Sequence, residues 1–409
     1  MPILLPDDLN IEIPELYPIR QKFQGVSLPD IAARISELFE LPGIGERIVP
    51  GQRVALAIGS RGIDHIDVLA AEVIAQLKMR GVQPFIVAAM GSHGGGTKAG
   101  RLAVLESFGI TEETMGVSIS ADDETVHLGQ VGSIPIFTSK EALEADMTIL
   151  INRVKPHTDF NGPVESGLCK MAVIGLGGHV GCSAIHQVGF KNFATLIPDA
   201  AALILENGNI GFGIAIIENS EDRIAEIHAI PAEQIFTRES ELLIKAQAYM
   251  PRIRIPEIDI LLVDEIGKNF SGGGMDPNIV GRYGPKAERE DIPDIKVLVV
   301  HRLSEGTHGN ASGIGMADIT TEAVLFSIDF ESTYANVFAV GDGYETAHIP
   351  IVMKDEREAF CGAVKLWGGD LKKCRVVQIK NTLQLGEIRV SSALLPYVLE
   401  HPAFFELGE

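Results

Sequence analysis

Short β-branched apolar runs alternate with helical patterns along most of this chain, which restricts it to α/β layers with mainly parallel sheets. Arg53–Ile58 (RVALAI) reads as a buried strand. The turn Gly59-Ser60-Arg61-Gly62 follows it, then a helix with Ile66, Leu69, Val73 and Leu77 on one face, closed by Gly81. Residues 84–89 (PFIVAA) give the next strand, followed by Gly91-Ser92-His93-Gly94-Gly95-Gly96 and a helix from Thr97. Further strands are expected over 147–152, 171–175, 211–217, 259–264, 296–301, 334–340 and 375–379, and a helix over 239–249. At roughly 100–200 residues per domain, 409 residues suit two or three domains. The sharpest boundary signal is residues 250–256 (MPRIRIP), where prolines stiffen a connection. The expected architecture is therefore two α/β domains with an active-site cleft between them. Residues 1–250 would form the cofactor-binding and catalytic domain and 257–390 the C-terminal domain. The tail, 391–409, would be a helix packing back across the boundary.

Charge excludes one class of partner. Lys+Arg 34 against Asp+Glu 55 gives a net charge of −21, and no basic patch interrupts it, so nucleic acid is repelled. Four cysteines, none in CxxC spacing, do not make a disulfide scaffold. The first residues carry no basic, apolar leader, and no run of about 18 apolar residues occurs, so neither secretion nor membrane insertion is expected. A cytoplasmic protein with reduced thiols is the expectation, and a homo-oligomer is compatible with it.

Ligands of open α/β sheets bind where strands end and helices begin. The loops at such places carry Ser60-Arg61, Ser92-His93, Lys155-Pro156-His157, Gly272-Gly273-Gly274-Met275-Asp276 and Thr307-His308-Gly309-Asn310. For any one loop taken alone, a solvated turn is the plainer reading. The richest stretch, residues 152–186, holds Arg153, Lys155, His157, Lys170, His179 and His186 among many glycines. Asp159 and Glu165 are its carboxylates. Positive charge and glycine-loop amides, with Gly167 and Gly177 among them, suit an anion such as a phosphate. Gly175-Leu176-Gly177-Gly178-His179-Val180 is not a dinucleotide fingerprint, because Val180 stands where the last glycine belongs. The histidine spacings fit neither HExxH nor a zinc finger.

Taken in order, these loops resemble the lactate racemase family, which uses a nickel-pincer nucleotide. Ser60-Arg61 resembles that family's cofactor- and substrate-holding Thr/Ser-Arg loop, and Met90-Gly91-Ser92-His93 its loop with one catalytic histidine. His157 resembles the second catalytic histidine, Lys170 the lysine that bonds the cofactor, and His186 the axial nickel ligand. The interval from Lys170 to His186 is the most specific agreement. Residues 272–278 and 306–309 resemble the family's Gly-Gly-x-x-Asp-x-Asn and Gly-His-Gly loops, which makes His308 a substrate-site candidate. The pocket wall departs from the pattern. Lys155-Pro156 precedes His157, Pro277 replaces a glutamine, and Thr320 falls about where a tryptophan lines the family's pocket.

The resemblance implies a racemase or epimerase of a 2-hydroxy acid other than lactate. It also implies partners in the cofactor-synthesis proteins and a nickel-pincer nucleotide linked covalently through Lys170. Inversion at an unactivated Cα–H is easier by reversible hydride transfer than by forming a carbanion beside a carboxylate. His93 and His157 would then handle the hydroxyl proton from opposite sides, because imidazole serves as acid or base near neutral pH. Arg61 suits either the nucleotide phosphate or the substrate carboxylate. Arg153 and Lys155 would match a second carboxylate, as in malate, although solvated charge at a strand end is the plainer reading. Two alternatives stay open: a 2-hydroxy acid dehydrogenase with a diffusible nicotinamide, and a non-catalytic carrier of the nickel nucleotide.

Overall fold

The structure is a computed structural model that describes residues 3–283, 291–340 and 343–408. The chain divides into two compact units, Gly25–Met250 and a second made of Met1–Gln24 with Pro251–Glu409. Both are mixed α/β units built on large, mainly parallel sheets. Among the described residues no single helix is long and apolar enough to cross a membrane.

In the unit Gly25–Met250, six strands form one sheet. Their order is Ile119–Ser120, Gln83–Ala88, Arg53–Ile58, Met147–Arg153, Ile210–Glu218, Ile224–Pro231. The first five run parallel and Ile224–Pro231 is antiparallel to its neighbour. The central strand is buried from Val54 through Ile58. A strand covered on both faces reads as a continuous apolar run rather than an alternation, as RVALAI does. Val54, Leu56 and Ile58 share a core with Ile86, Ile149, Ile151 and the helical residues Leu69, Val73 and Leu77. Each such fully buried side chain stabilises the fold by about 1.5–3 kcal/mol. A separate antiparallel pair, Thr125–Val131 with Ile134–Ser139, belongs to the same unit.

The second unit carries an eight-stranded sheet. Its order is Ile351–Met353, Ile319–Thr321, Asp294–Leu303, Glu257–Ile266, Val376–Ile379, Glu387–Ser391, Leu16–Gln21, Phe405–Leu407. The first five are parallel and the last three antiparallel. Here the domain boundaries differ from the expected 1–250 and 257–390. Leu16–Gln21 pairs with Glu387–Ser391 on one side and Phe405–Leu407 on the other, which brings the first 24 residues into this unit. The tail is not a single helix reaching back across the boundary. It forms the short helix Leu395–Glu400 and then the edge strand Phe405–Leu407, both within this unit.

Two expected strands are helical. Met171–Gly175 continues the turn Leu168–Lys170 as a wide helical turn, with Leu176 N–H donating to the Met171 carbonyl at 2.9 Å. Residues 334–340 lie in the helix Phe330–Val340, before which Asp329 accepts from Ser332 N–H at 3.0 Å. A short, wholly apolar run has the same composition in a buried strand and a buried helix, so periodicity cannot separate them.

Candidate active site

Parallel strands put their carboxyl ends on one edge, and in the unit Gly25–Met250 three loops emerge there side by side. Arg53–Ile58 leads to Ser60-Arg61, Gln83–Ala88 to Ser92-His93, and Met147–Arg153 to Lys155 and His157. The Ser60 hydroxyl hydrogen-bonds Nδ1 of His93. The His93 loop rests on the turn after Lys170, with Gly91 N–H donating to the Gly175 carbonyl at 3.1 Å. Gly91 has φ 57°, and a Cβ there would meet the Ile174 carbonyl oxygen at 2.9 Å, so both conformation and space call for glycine. Behind the loop lies Arg101, 1% exposed. Its guanidinium donates to the Gly91 carbonyl at 3.1 Å and pairs with Asp123.

His157 sits in a loop closed by backbone pairing of Lys155 with Ser166, at 2.9 and 3.1 Å. The buried Glu165 accepts from His157 N–H at 2.6 Å and Gly162 N–H at 3.3 Å, bracing the loop from inside. Asp159 N–H donates to Nδ1 of the His157 ring at 3.1 Å. An amide can only donate, so that contact leaves Nε2 to carry the ring proton of the neutral form. The ring itself packs on Phe160 and Phe190, with centroids at 4.6 and 5.7 Å.

Lys170 ends the turn Leu168–Lys170, which is pinned at two points. Asn152 donates to the Gly167 carbonyl at 2.7 Å, and Glu239 accepts from Cys169 N–H at 2.8 Å. Burial lowers the Lys170 amine from its ordinary 10.5 to about 8, with Arg61 pushing the same way and Asp159, Cys182 and Glu165 opposing. An ammonium removed from water loses stability, so near neutral pH a fraction of this lysine is the nucleophilic free amine. His186 closes the helix Gly178–His186. Its Nδ1 lies 2.8 Å from the Cys182 carbonyl and its ring meets Phe190 and Phe193 edge-on. A carbonyl on one ring nitrogen fixes the other as acceptor, the arrangement that orients metal-binding imidazoles.

These contacts join four of the expected residues of this unit, Ser60, His93, His157 and His186. Ser60 touches His93, and Ser92 touches Cys182 at 3.5 Å. Cys182 touches His186, and His186 and His157 share the ring of Phe190. The carboxylate of Asp159 lies 3.4 Å from the His157 ring, and its charge and that of Arg61 both act on the Lys170 amine. Among the described residues no group of three or more His, Cys, Asp or Glu could hold a metal by itself. A metal at His186 would therefore need most of its ligands from a cofactor.

Three expected residues stand differently. Arg153 is ion-paired with the buried carboxylate of Glu218, which also accepts Asp64 N–H at 2.8 Å, so its charge is already met within the protein. At Gly177, the helix Gly178–His186 begins with its own anion: Asp123 accepts His179 N–H at 3.0 Å. His308 belongs to the other unit, where it follows the turn Glu305–Thr307 with φ 50°. Glu165, Glu239, Asn152 and Phe190 were not singled out from the sequence as site-shaping residues. Glu239 had left a signal, because Leu242, Leu243 and Ala246 place it on the buried face of its helix.

No family model matches the chain, and a search of curated proteins found no match. Solved structures do match. A Thermotoga maritima protein from a structural genomics programme aligns with a TM-score of 0.52 and 14% identity, over 83% of this chain and 92% of that one. The two share a fold. The lactate racemase apoprotein from Thermoanaerobacterium thermosaccharolyticum aligns with a TM-score of 0.49 and 14% identity, over 86% of this chain and 95% of that one.

Proposed function

We propose that this protein is a racemase or epimerase of a 2-hydroxy acid, working with a nickel-pincer nucleotide tethered through Lys170. The observation that supports the reading is the run of contacts from Ser60 and His93 through Ser92, Cys182, His186 and Phe190 to His157 at one edge of one sheet, with Lys170 feeling the charges of Arg61 and Asp159. The residues fit the group. Lys170 offers an amine lowered to about 8, suited to acyl attachment, and His186 presents an imidazole whose Nδ1 is already engaged. Nickel accepts sulfur and imidazole donors together. When bound, the group supplies a hydride acceptor.

The chain's own residues do the rest. Arg61 binds the substrate carboxylate, for which a planar guanidinium is the best match. His93, oriented by Ser60, and His157, oriented by Asp159 N–H and wedged on Phe160, take and return the hydroxyl proton for opposite enantiomers. Phe160, Phe190 and Phe193 keep water from the His157 side. Arg153 is removed from substrate binding by Glu218, which leaves Lys155 as the residue we assign to a second carboxylate.

The test is racemisation of malate and of lactate by protein produced together with cofactor-synthesis proteins. We expect turnover that His93→Asn and His157→Asn each abolish while the cofactor stays attached. Malate turnover that Lys155→Ala lowers supports the dicarboxylate. Attached cofactor with no turnover of either acid would instead favour the carrier.

A further inference from the structure

Outside the catalytic contacts lies a carboxyl group whose burial has no evident structural return. Glu239 is 0% exposed, in the second turn of the helix Ile235–Tyr249. Burying a carboxyl costs several kcal/mol unless its oxygens are satisfied, and only one of them is. Oε2 accepts Cys169 N–H at 2.8 Å, while Oε1 has no hydrogen-bond partner. An apolar residue at this core position would fill the space without that cost. What the carboxyl holds is therefore informative: the amide it binds is the one immediately before Lys170.

The surroundings are shaped to admit it. A Cβ on Gly167 would lie 2.3 Å from Oε1 of Glu239, so only glycine leaves room for the carboxyl against the start of the Lys170 turn. The Gly167 carbonyl on the opposite side is held by Asn152 at 2.7 Å. With both ends of the Gly167–Cys169 segment fixed, the Lys170 amine is held away from water, within electrostatic reach of Arg61, Asp159, Glu165 and Cys182. A lysine on an unpinned turn would swing its ammonium towards water.

We propose that Glu239 is the positioning residue for Lys170: from a neighbouring helix, its buried carboxyl fixes the backbone turn that holds the lysine at the site. The inference rests on Lys170 being the cofactor anchor, but its test uses cofactor-free protein, so each can fail without the other.

The experiment is reductive methylation of the cofactor-free full chain with formaldehyde and cyanoborohydride, read at Lys170 by peptide mass spectrometry across pH. The wild-type reaction should rise with a midpoint near 8. In Glu239→Ala the turn loosens and the amine meets water, moving the midpoint up by about 1–2 pH units towards an ordinary lysine. Glu239→Gln still accepts the Cys169 amide and should keep the wild-type midpoint. Hydrogen exchange at the Cys169 amide should quicken at least ~10-fold in Glu239→Ala and stay near wild type in Glu239→Gln. A folded Glu239→Ala protein with wild-type midpoint and exchange would overturn the proposal. So would a Glu239→Gln protein that behaves like the alanine variant. If Glu239→Ala does not fold, Gly167→Ala decides, because its methyl group displaces the carboxyl. The same upward midpoint shift supports the proposal and an unchanged midpoint refutes it.

Discussion

Replacing Arg101 with methionine keeps most of the aliphatic stem and removes one buried charge, which isolates what the guanidinium does. Arg101 is 1% exposed and donates to the Gly91 carbonyl at 3.1 Å, the Ala121 carbonyl at 3.4 Å and the Asp122 carbonyl at 3.3 Å, besides pairing with Asp123. Breaking a fully buried ion pair costs about 3–5 kcal/mol. The Asp123 side chain, however, is 34% exposed and can rehydrate, and it keeps the His179 amide. That discounts the charge effect to about 1–3 kcal/mol. Three carbonyls left without their donor add about 1 kcal/mol each at most, less where water reaches them. Arg101→Met should therefore destabilise the unit Gly25–Met250 by about 1–6 kcal/mol. Urea titration with hydrogen-exchange mass spectrometry reads that unit separately from the other. Because the Gly91 carbonyl anchors the His93 loop, exchange in residues 90–96 should rise further than in the sheet. A loss below about 1 kcal/mol, with residues 90–96 as protected as before, would refute the view that Arg101 braces the His93 loop.

Other outcomes follow from the same contacts. Burial raises the Glu239 carboxyl from 4.5 to about 7, so the folded chain binds this proton more tightly than the unfolded one. Its stabilisation is complete below about pH 4.5 and is lost as pH rises to about 7, a change of about 3 kcal/mol. The stability difference between wild type and Glu239→Gln should change by that amount between pH 4 and 8 in urea titrations, and a flat difference would contradict it. Gly91→Ala, at φ 57° and 2.9 Å from the Ile174 oxygen, should cost about 1–3 kcal/mol and slow turnover more than it raises KM. Equal stability and kinetics in that variant would count against the loop geometry.

Much of the fold was legible because continuous apolar runs bounded by turn residues are what doubly covered strands require, as at Arg53–Ile58 and Gln83–Ala88. The loops that follow them could be grouped from sequence, since parallel strands end on one edge. Where pattern failed, the missing information was non-local. Leu16–Gln21 finds its partners at the far end of the chain, and nothing within it says so. Met171–Gly175 is equally apolar as strand or helix, and the neighbours that make it helical come from elsewhere in the fold. The site shows the same division. Residue types alone reached only an anion-binding site, and it was the ordered resemblance of the loops to the lactate racemase family that implied roles for His93, His157, Lys170 and His186. The neutralisation of Arg153 by Glu218, and the grip of Glu239 on the Lys170 turn, depend on partners brought together only by folding.

The claim on which the rest depends is that Lys170 carries a nickel-bearing nucleotide. Intact-mass and metal analysis of the full chain, produced with the cofactor-synthesis proteins, tests it directly. The account predicts bound nickel and a covalent mass increase that peptide mapping places on Lys170 and that Lys170→Ala removes. Protein without nickel, its Lys170 still a free amine after production with an active synthesis system, would contradict it.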